Sequence, residues 1–136
     1  MPDTPPSTGD TLRQNNAVLL CTAADLAEAG RAHVFDLLEH GRPVRGFVLR
    51  FDGRVVAYLN RCAHVPAELD WQPGEFLDDT RQYIICSMHG AVYTPLDGQC
   101  IAGPCRGAPL TALTVQERDG QVYWYPSSRF APAFAD

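Results

Sequence analysis

Two short segments of the chain each offer one thiol and one imidazole. Cys62-Ala-His64 is followed, after 21 intervening residues, by Cys86-Ser-Met-His89. Thiolate sulfur and imidazole nitrogen are transition-metal ligands, and four of them can complete one site. Zinc accepts this donor set. Its paired ligands are usually two or more residues apart, so that both reach the same ion. Cys62 and His64 have a single residue between them. Side chains that close together on an extended turn reach two neighbouring metal atoms more naturally. A [2Fe–2S] cluster with two cysteines on one iron and two histidines on the other fits that pattern. Exchanging two thiolates for neutral imidazoles removes negative charge and favours the reduced state. Such centres lie at about −150 to +300 mV, against about −400 mV for plant-type ferredoxins. A zinc ion that merely holds two loops together is the competing reading of the same four residues.

These side chains need strands to present them. Tyr58-Leu-Asn-Arg leads into Cys62, and Tyr83-Ile-Ile leads into Cys86, so each pair sits in a turn just past a β-prone run. Further runs are Ala17–Cys21, Ala32–Leu37, Val44–Arg50, Val55–Asn60, Gln82–Cys86, Ala91–Thr94, Gln99–Ala102, Leu110–Glu117 and Gln121–Tyr125. Asp52-Gly53 and Asp119-Gly120 are hairpin signals. Ala23–Ala29 can form a helical turn or two before Gly30. Turn signals every ~8–12 residues point to an all-β sandwich or barrel. The chain has 136 residues, 46% of them hydrophobic, which suits one domain with one core. Residues 1–15 are polar and read as a mobile tail, residues 16–126 as the domain, and residues 127–136 as a C-terminal tail whose packing the sequence leaves open.

Composition excludes some functions. Eleven arginines and no lysine against sixteen acidic residues give a net charge of −5, which argues against nucleic-acid binding through a basic surface. No apolar run approaches the ~20 residues of a spanning helix, and no secretory signal opens the chain. The expected location is the cytoplasm, where five cysteines are not a disulfide framework.

The ligand loops, with Gly90, Tyr93 and Gly103-Pro104 after them, resemble the Rieske domain family from about Ala17 to Tyr125. The resemblance implies an all-β, Rieske-type antiparallel β-sandwich with a small inserted cluster-binding subdomain, about residues 61–107. It implies a [2Fe–2S] cluster held by Cys62, His64, Cys86 and His89. Gly103-Pro104 would cover the cluster, Gly90 would let the backbone pass close to the sulfurs, and Val65, Pro66, Met88 and Pro104 would form an apolar collar. The membrane-bound members carry an anchor and an extra cysteine in each loop; the corresponding positions here are Ala67 and Met88. Oxygenase large subunits continue into a mononuclear iron domain, for which this chain is too short. High-potential members place a serine two residues and a tyrosine four residues after the second histidine; here these are Ala91 and Tyr93, so an intermediate potential is expected. Ligand histidines that lose a proton in the oxidised state imply a potential that falls at alkaline pH, and a flat profile through about pH 7–10 would contradict histidine ligation.

The function so implied is that of a soluble ferredoxin. It would pass single electrons from a flavin reductase to a terminal oxygenase or similar enzyme, with no bond chemistry of its own and no membrane or nucleic-acid partner. A small redox subunit of a larger oxidoreductase, a redox sensor and a zinc-stabilised interaction module are the alternatives. Cys100 and Cys105 flank the proline loop as two thiols or a redox pair; Cys21 reads as core, and His33 and His40 as surface or turn residues. Glu68, Asp70, Glu75, Asp78 and Asp79 form either a solvated loop or a docking surface for a basic partner, with Trp71 and Phe76 anchoring the stretch.

Overall fold

A computed structural model describes residues 17–63, 67–86, 90–104 and 108–133. Among these residues the strands are β1 (Val18–Thr22), β2 (His33–Glu39), β3 (Arg42–Phe51), β4 (Arg54–Leu59), β5 (Ile84–Ile85), β6 (Val92–Tyr93), β7 (Cys100–Ala102), β8 (Val115–Arg118), β9 (Gln121–Trp124) and β10 (Phe130–Pro132). They form three antiparallel sheets in the orders β1-β9-β8, β10-β2-β3-β4 and β5-β6-β7. The all-β expectation holds, and the only helical piece among the described residues is a 3-10 turn at Ala23–Asp25 where up to two helical turns were expected. No helix among the described residues is long and apolar enough to cross a membrane.

The four-stranded sheet is the middle layer. Successive side chains of a strand point to opposite faces, and here both faces are buried. Phe47 and Leu49 of β3 and Tyr58 of β4 face the core that also contains Cys62 and Cys86. Val48 of β3, with Ala57 and Leu59 of β4, faces a second core built on Val122 and Trp124 of β9. Gly46–Leu49 therefore reads as an unbroken buried run rather than an alternating one. Both Asp-Gly hairpins form, with Phe51 opposite Arg54 and Arg118 opposite Gln121. Asp52 and Asp119 take the positive φ of 54° that a type I′ turn requires. His40-Gly41 makes a third such turn between β2 and β3.

One run departs from the sequence expectation, and the structure places another that the sequence left open. Of Leu110–Glu117, only the end enters β8; the first part lies along β4, where Leu59 N–H donates to Thr111 O and Leu113 N–H to Ala57 O. It covers an edge that would otherwise be open to pairing. The C-terminal stretch does not hang free over residues 127–133. β10 pairs with β2, and Phe130 is buried in the second core.

An ion-pair hub fixes that attachment. The Glu39 carboxylate accepts from Arg61 at 2.9 and 3.2 Å and from Arg129 at 2.8 and 2.6 Å. Hydrogen bonds from Arg61, joined by those from Arg129, hold its pKa down at about 2. A carboxylate held low stabilises the fold above its ordinary value and loses that contribution as it is protonated in the folded state. Urea unfolding should therefore show wild type ahead of Glu39→Gln by about 1–2 kcal/mol at pH 7, with screening of the part-exposed guanidinium groups allowed for. The gap should close between pH 4.5 and about 2. A gap that stays constant over that range would contradict the hub.

Candidate metal centre

Cys62 follows the end of β4 and Cys86 follows β5. The two thiols are 4% and 1% exposed and belong to the same core. Each opens a turn closed in the same way. Cys62 N–H donates to Ala67 O at 2.8 Å, and Cys86 N–H donates to Ala91 O at 2.9 Å, five residues on in both cases. Gly90 N–H adds a bond to Cys86 O at 3.1 Å. His64, Val65, Pro66, Met88, His89 and Cys105 lie outside the described residues.

Tyr93 connects the two turns. It lies on β6 opposite Ile84, and its hydroxyl is 3.4 Å from Cys62 Sγ. Ala63 N–H donates to the same hydroxyl oxygen at 3.1 Å. While its oxygen accepts from Ala63 N–H, the phenol O–H is within reach to donate to the sulfur once that sulfur is a thiolate, which has no proton of its own. A phenol donating to a buried thiolate stabilises it most in its more negative state. Tyr93→Phe should therefore lower the reduction potential by about 50 mV, near the 59 mV of a tenfold change in a one-electron equilibrium. Redox titration measures this, and an unchanged potential would leave Tyr93 as packing alone. Ala91, two residues after the second histidine, has no hydroxyl to donate, and its backbone carbonyl accepts from Cys86 N–H.

The proline loop lies directly over the second turn. Gly103 has φ +94°, and a Cβ there would stand 2.7 Å from Ala91 Cα and 3.0 Å from Gly90 O. Close backbone approach is thus a property of Gly103. Gly90 has φ +70°, which the turn requires, and nothing described lies within 4 Å of where its Cβ would be, so the space beside it stays open. Pro104 is exposed, beside exposed Ile101 and Ala102.

The chemistry of the donors fits a thiolate-bound metal group. Two buried thiols head matched backbone turns, and a phenol hydroxyl lies 3.4 Å from one sulfur. Cys21 is half-buried against the other core, where desolvation and then Asp25 push its thiol pKa up. Cys100 is buried, and its Sγ approaches Ala102 O at 3.2 Å. His33 stacks on Phe35, and His40 occupies an exposed turn.

The acidic run between the turns is engaged inside the molecule. Glu68 pairs with Arg45 and Glu75 with Arg81. Asp70 takes Asn60 Nδ2–H and Gly74 N–H, and Asp78 takes Thr80 Oγ1–H with the N–H groups of Gln82 and Tyr83. Phe76 anchors the stretch by stacking on Phe47 at 3.7 Å. Trp71 is 46% exposed, held through its Nε1–H to Leu77 O. Tyr58 was not singled out by the sequence. Its hydroxyl crosses to Pro95 O at 2.6 Å, and burial, followed by the nearby Asp97, pushes its pKa up to about 12. Only its place two residues before Asn60, at the end of β4, hinted at a link between the layers.

The family model for the Rieske [2Fe-2S] domain matches residues 16–126. No curated protein matches the chain. Among solved structures, a chain of the oxygenase–ferredoxin complex of carbazole 1,9a-dioxygenase is 24% identical, with TM-score 0.66, over 82% of this chain and 28% of that one. The ferredoxin of carbazole 1,9a-dioxygenase from Nocardioides aromaticivorans IC177 is 25% identical, with TM-score 0.64, over 82% of this chain and 99% of that one. The terminal oxygenase of carbazole 1,9a-dioxygenase from Novosphingobium sp. KA1 is 23% identical, with TM-score 0.63, over 82% of this chain and 30% of that one. The chain thus spans under a third of the oxygenase-system chain matched first. With matched cysteine turns, three antiparallel sheets and a family match over most of its length, the chain belongs to the Rieske [2Fe-2S] domain family, whose cofactor is a [2Fe–2S] cluster.

Proposed function

We propose that the chain is a ferredoxin that carries single electrons from a flavin-containing reductase to a terminal oxygenase and performs no bond chemistry itself. The observation that carries this reading is the near-complete correspondence with a ferredoxin, 99% of whose chain is matched. Cys62, His64, Cys86 and His89 would hold the cluster within a subdomain of about residues 61–107. Once bound, the cluster takes up and releases one electron.

The chain's own residues prepare that site. Burial of Cys62 and Cys86 keeps water from the sulfurs, and the paired N–H···O closures fix where each thiol points. Tyr93 holds its hydroxyl within reach of Cys62 Sγ. Pro104, Ile101 and Ala102 offer exposed apolar surface next to the second turn, suited to a brief protein contact. The proposed setting is the cytoplasm, where thiols stay reduced.

Anaerobic reductive titration tests the carrier role. One electron per chain is expected, with full reoxidation by an equimolar Rieske oxygenase component and no conversion of an organic substrate by the chain alone. A chain that takes up no electron, or that holds it against such an acceptor, would contradict the proposal.

A further inference from the structure

The two cysteine turns are closed alike at Cys62–Ala67 and Cys86–Ala91, but what lies beneath each closure differs. Under the second turn is a β-ladder, with Ile85 opposite Val92 and Ile84 opposite Tyr93. Under the first turn, the described backbone forms no ladder between the end of β4 and the returning chain. β4 already pairs with β3 on one side and is bonded to Thr111 and Leu113 on the other. The missing rung is supplied by a side chain. Asn60 Oδ1 accepts Leu69 N–H at 2.7 Å, as a strand carbonyl would. Asn60 Nδ2–H donates to Asp70 Oδ1 at 3.1 Å, and Asp70 Oδ2 accepts Gly74 N–H at 3.3 Å. Asn60 N–H is fixed to Arg45 O at 2.8 Å on β3. At 4% exposure, Asn60 is the one buried amide side chain among the described residues, and no charged side chain there is buried as deeply.

We propose that Asn60 is the positioning residue of the first ligand turn, its carboxamide standing in for the β-ladder that supports the second. A buried amide that bonds both to backbone and to a carboxylate has one orientation that satisfies every partner. That orientation sets the spacing between the two arms of the turn, and so the place where Cys62 presents its sulfur. Without it, the buried Leu69 N–H and the part-buried Asp70 Oδ1 lose their partner, and the arms separate. The second turn, on its own ladder, keeps its shape. The cluster would then be released from the Cys62 side first.

This inference rests on the proposed ligand role of Cys62 and His64, and the test separates the two. Protein is purified anaerobically, and loss of visible absorption to excess chelator is followed well below the unfolding temperature. Thermal unfolding and the reduced EPR line shape are recorded alongside. Asn60→Ala and Asn60→Asp should lose the cluster roughly tenfold faster or more, the range for partners that orient metal ligands. Both should broaden the EPR signal. Tyr58→Phe removes a different buried hydrogen bond of the same core, and should shift unfolding without changing either cluster readout. Asn60→Asp sets two carboxylates against each other, but adding Asp70→Asn restores it. The new aspartate accepts from Leu69 N–H and from the new amide, whose oxygen still takes Gly74 N–H. The double variant should hold the cluster within about threefold of wild type, showing that the bonds and not the residue matter. Asn60→Ala no faster than Tyr58→Phe, or a double variant no better than Asn60→Asp, would overturn the proposal. Should Asn60→Ala fail to fold, the second comparison decides. Wild-type protein with no [2Fe–2S] absorption at all would sink the ligand reading, and this inference with it.

Discussion

Cys86→Ala is expected to purify colourless, with less than a few per cent of the wild-type visible absorption and an intact β-sheet circular dichroism spectrum. The thiol is 1% exposed at the end of β5, inside a turn held by two backbone bonds to Ala91 and Gly90. A Rieske-type cluster has two cysteine ligands in all, so losing one leaves an iron short of a donor. The fold should survive, because the core of Leu37, Val48 and Trp124 contains neither Cys62 nor Cys86. Cys21→Ala is the control. Cys21 packs against that other core, and its removal should leave the spectrum unchanged. A brown Cys86→Ala protein with a wild-type spectrum would remove Cys86 from the ligand set.

Phe47→Ala should be the most damaging change away from the ligands. Phe47 is fully buried, stacked on Phe76 at 3.7 Å and tilted against Tyr58 at 6.0 Å. It joins the middle sheet to the segment that connects the two cysteine turns. Truncating a buried phenylalanine costs about 3–5 kcal/mol, transfer and cavity together. Small domains have only about 5–15 kcal/mol in all. Urea unfolding monitored by fluorescence should show a midpoint shift of that size and faster cluster loss under native conditions. Ile101→Ala, on a residue 43% exposed, should cost under about 0.5 kcal/mol. A Phe47→Ala loss no larger than that would mean that the two layers do not depend on this contact.

The parts of this fold that local chemistry dictates could be read from the sequence. Asp52-Gly53 and Asp119-Gly120 specify type I′ turns by themselves, and both occur. Cys62 and Cys86, each after a β-prone run, mark the two matched backbone turns that the structure forms. What the sequence hid depends on partners far along the chain. β10 exists because Phe130 fills the second core and Arg129 reaches Glu39, 90 residues away; its own residues, Phe-Ala-Pro, have little strand character. Leu110–Thr114 reads as strand but serves as an edge cover, since β4 lacks a neighbour there. The acidic run looked like a surface field, yet Arg45, Arg81 and backbone N–H groups take up most of its members. Asn60 was visible only as one more residue before Cys62. Its role follows from Leu69 and Asp70 returning beside it, which no local pattern encodes.

The most direct test is the visible absorption spectrum, with the reduced-state EPR spectrum, of protein purified without air. The account predicts a brown protein holding two irons per chain, whose reduced signal has an average g below that of all-cysteine clusters, as histidine ligation of one iron requires. A colourless protein with one zinc per chain would contradict it and leave a β-fold that uses metal only to hold two loops together.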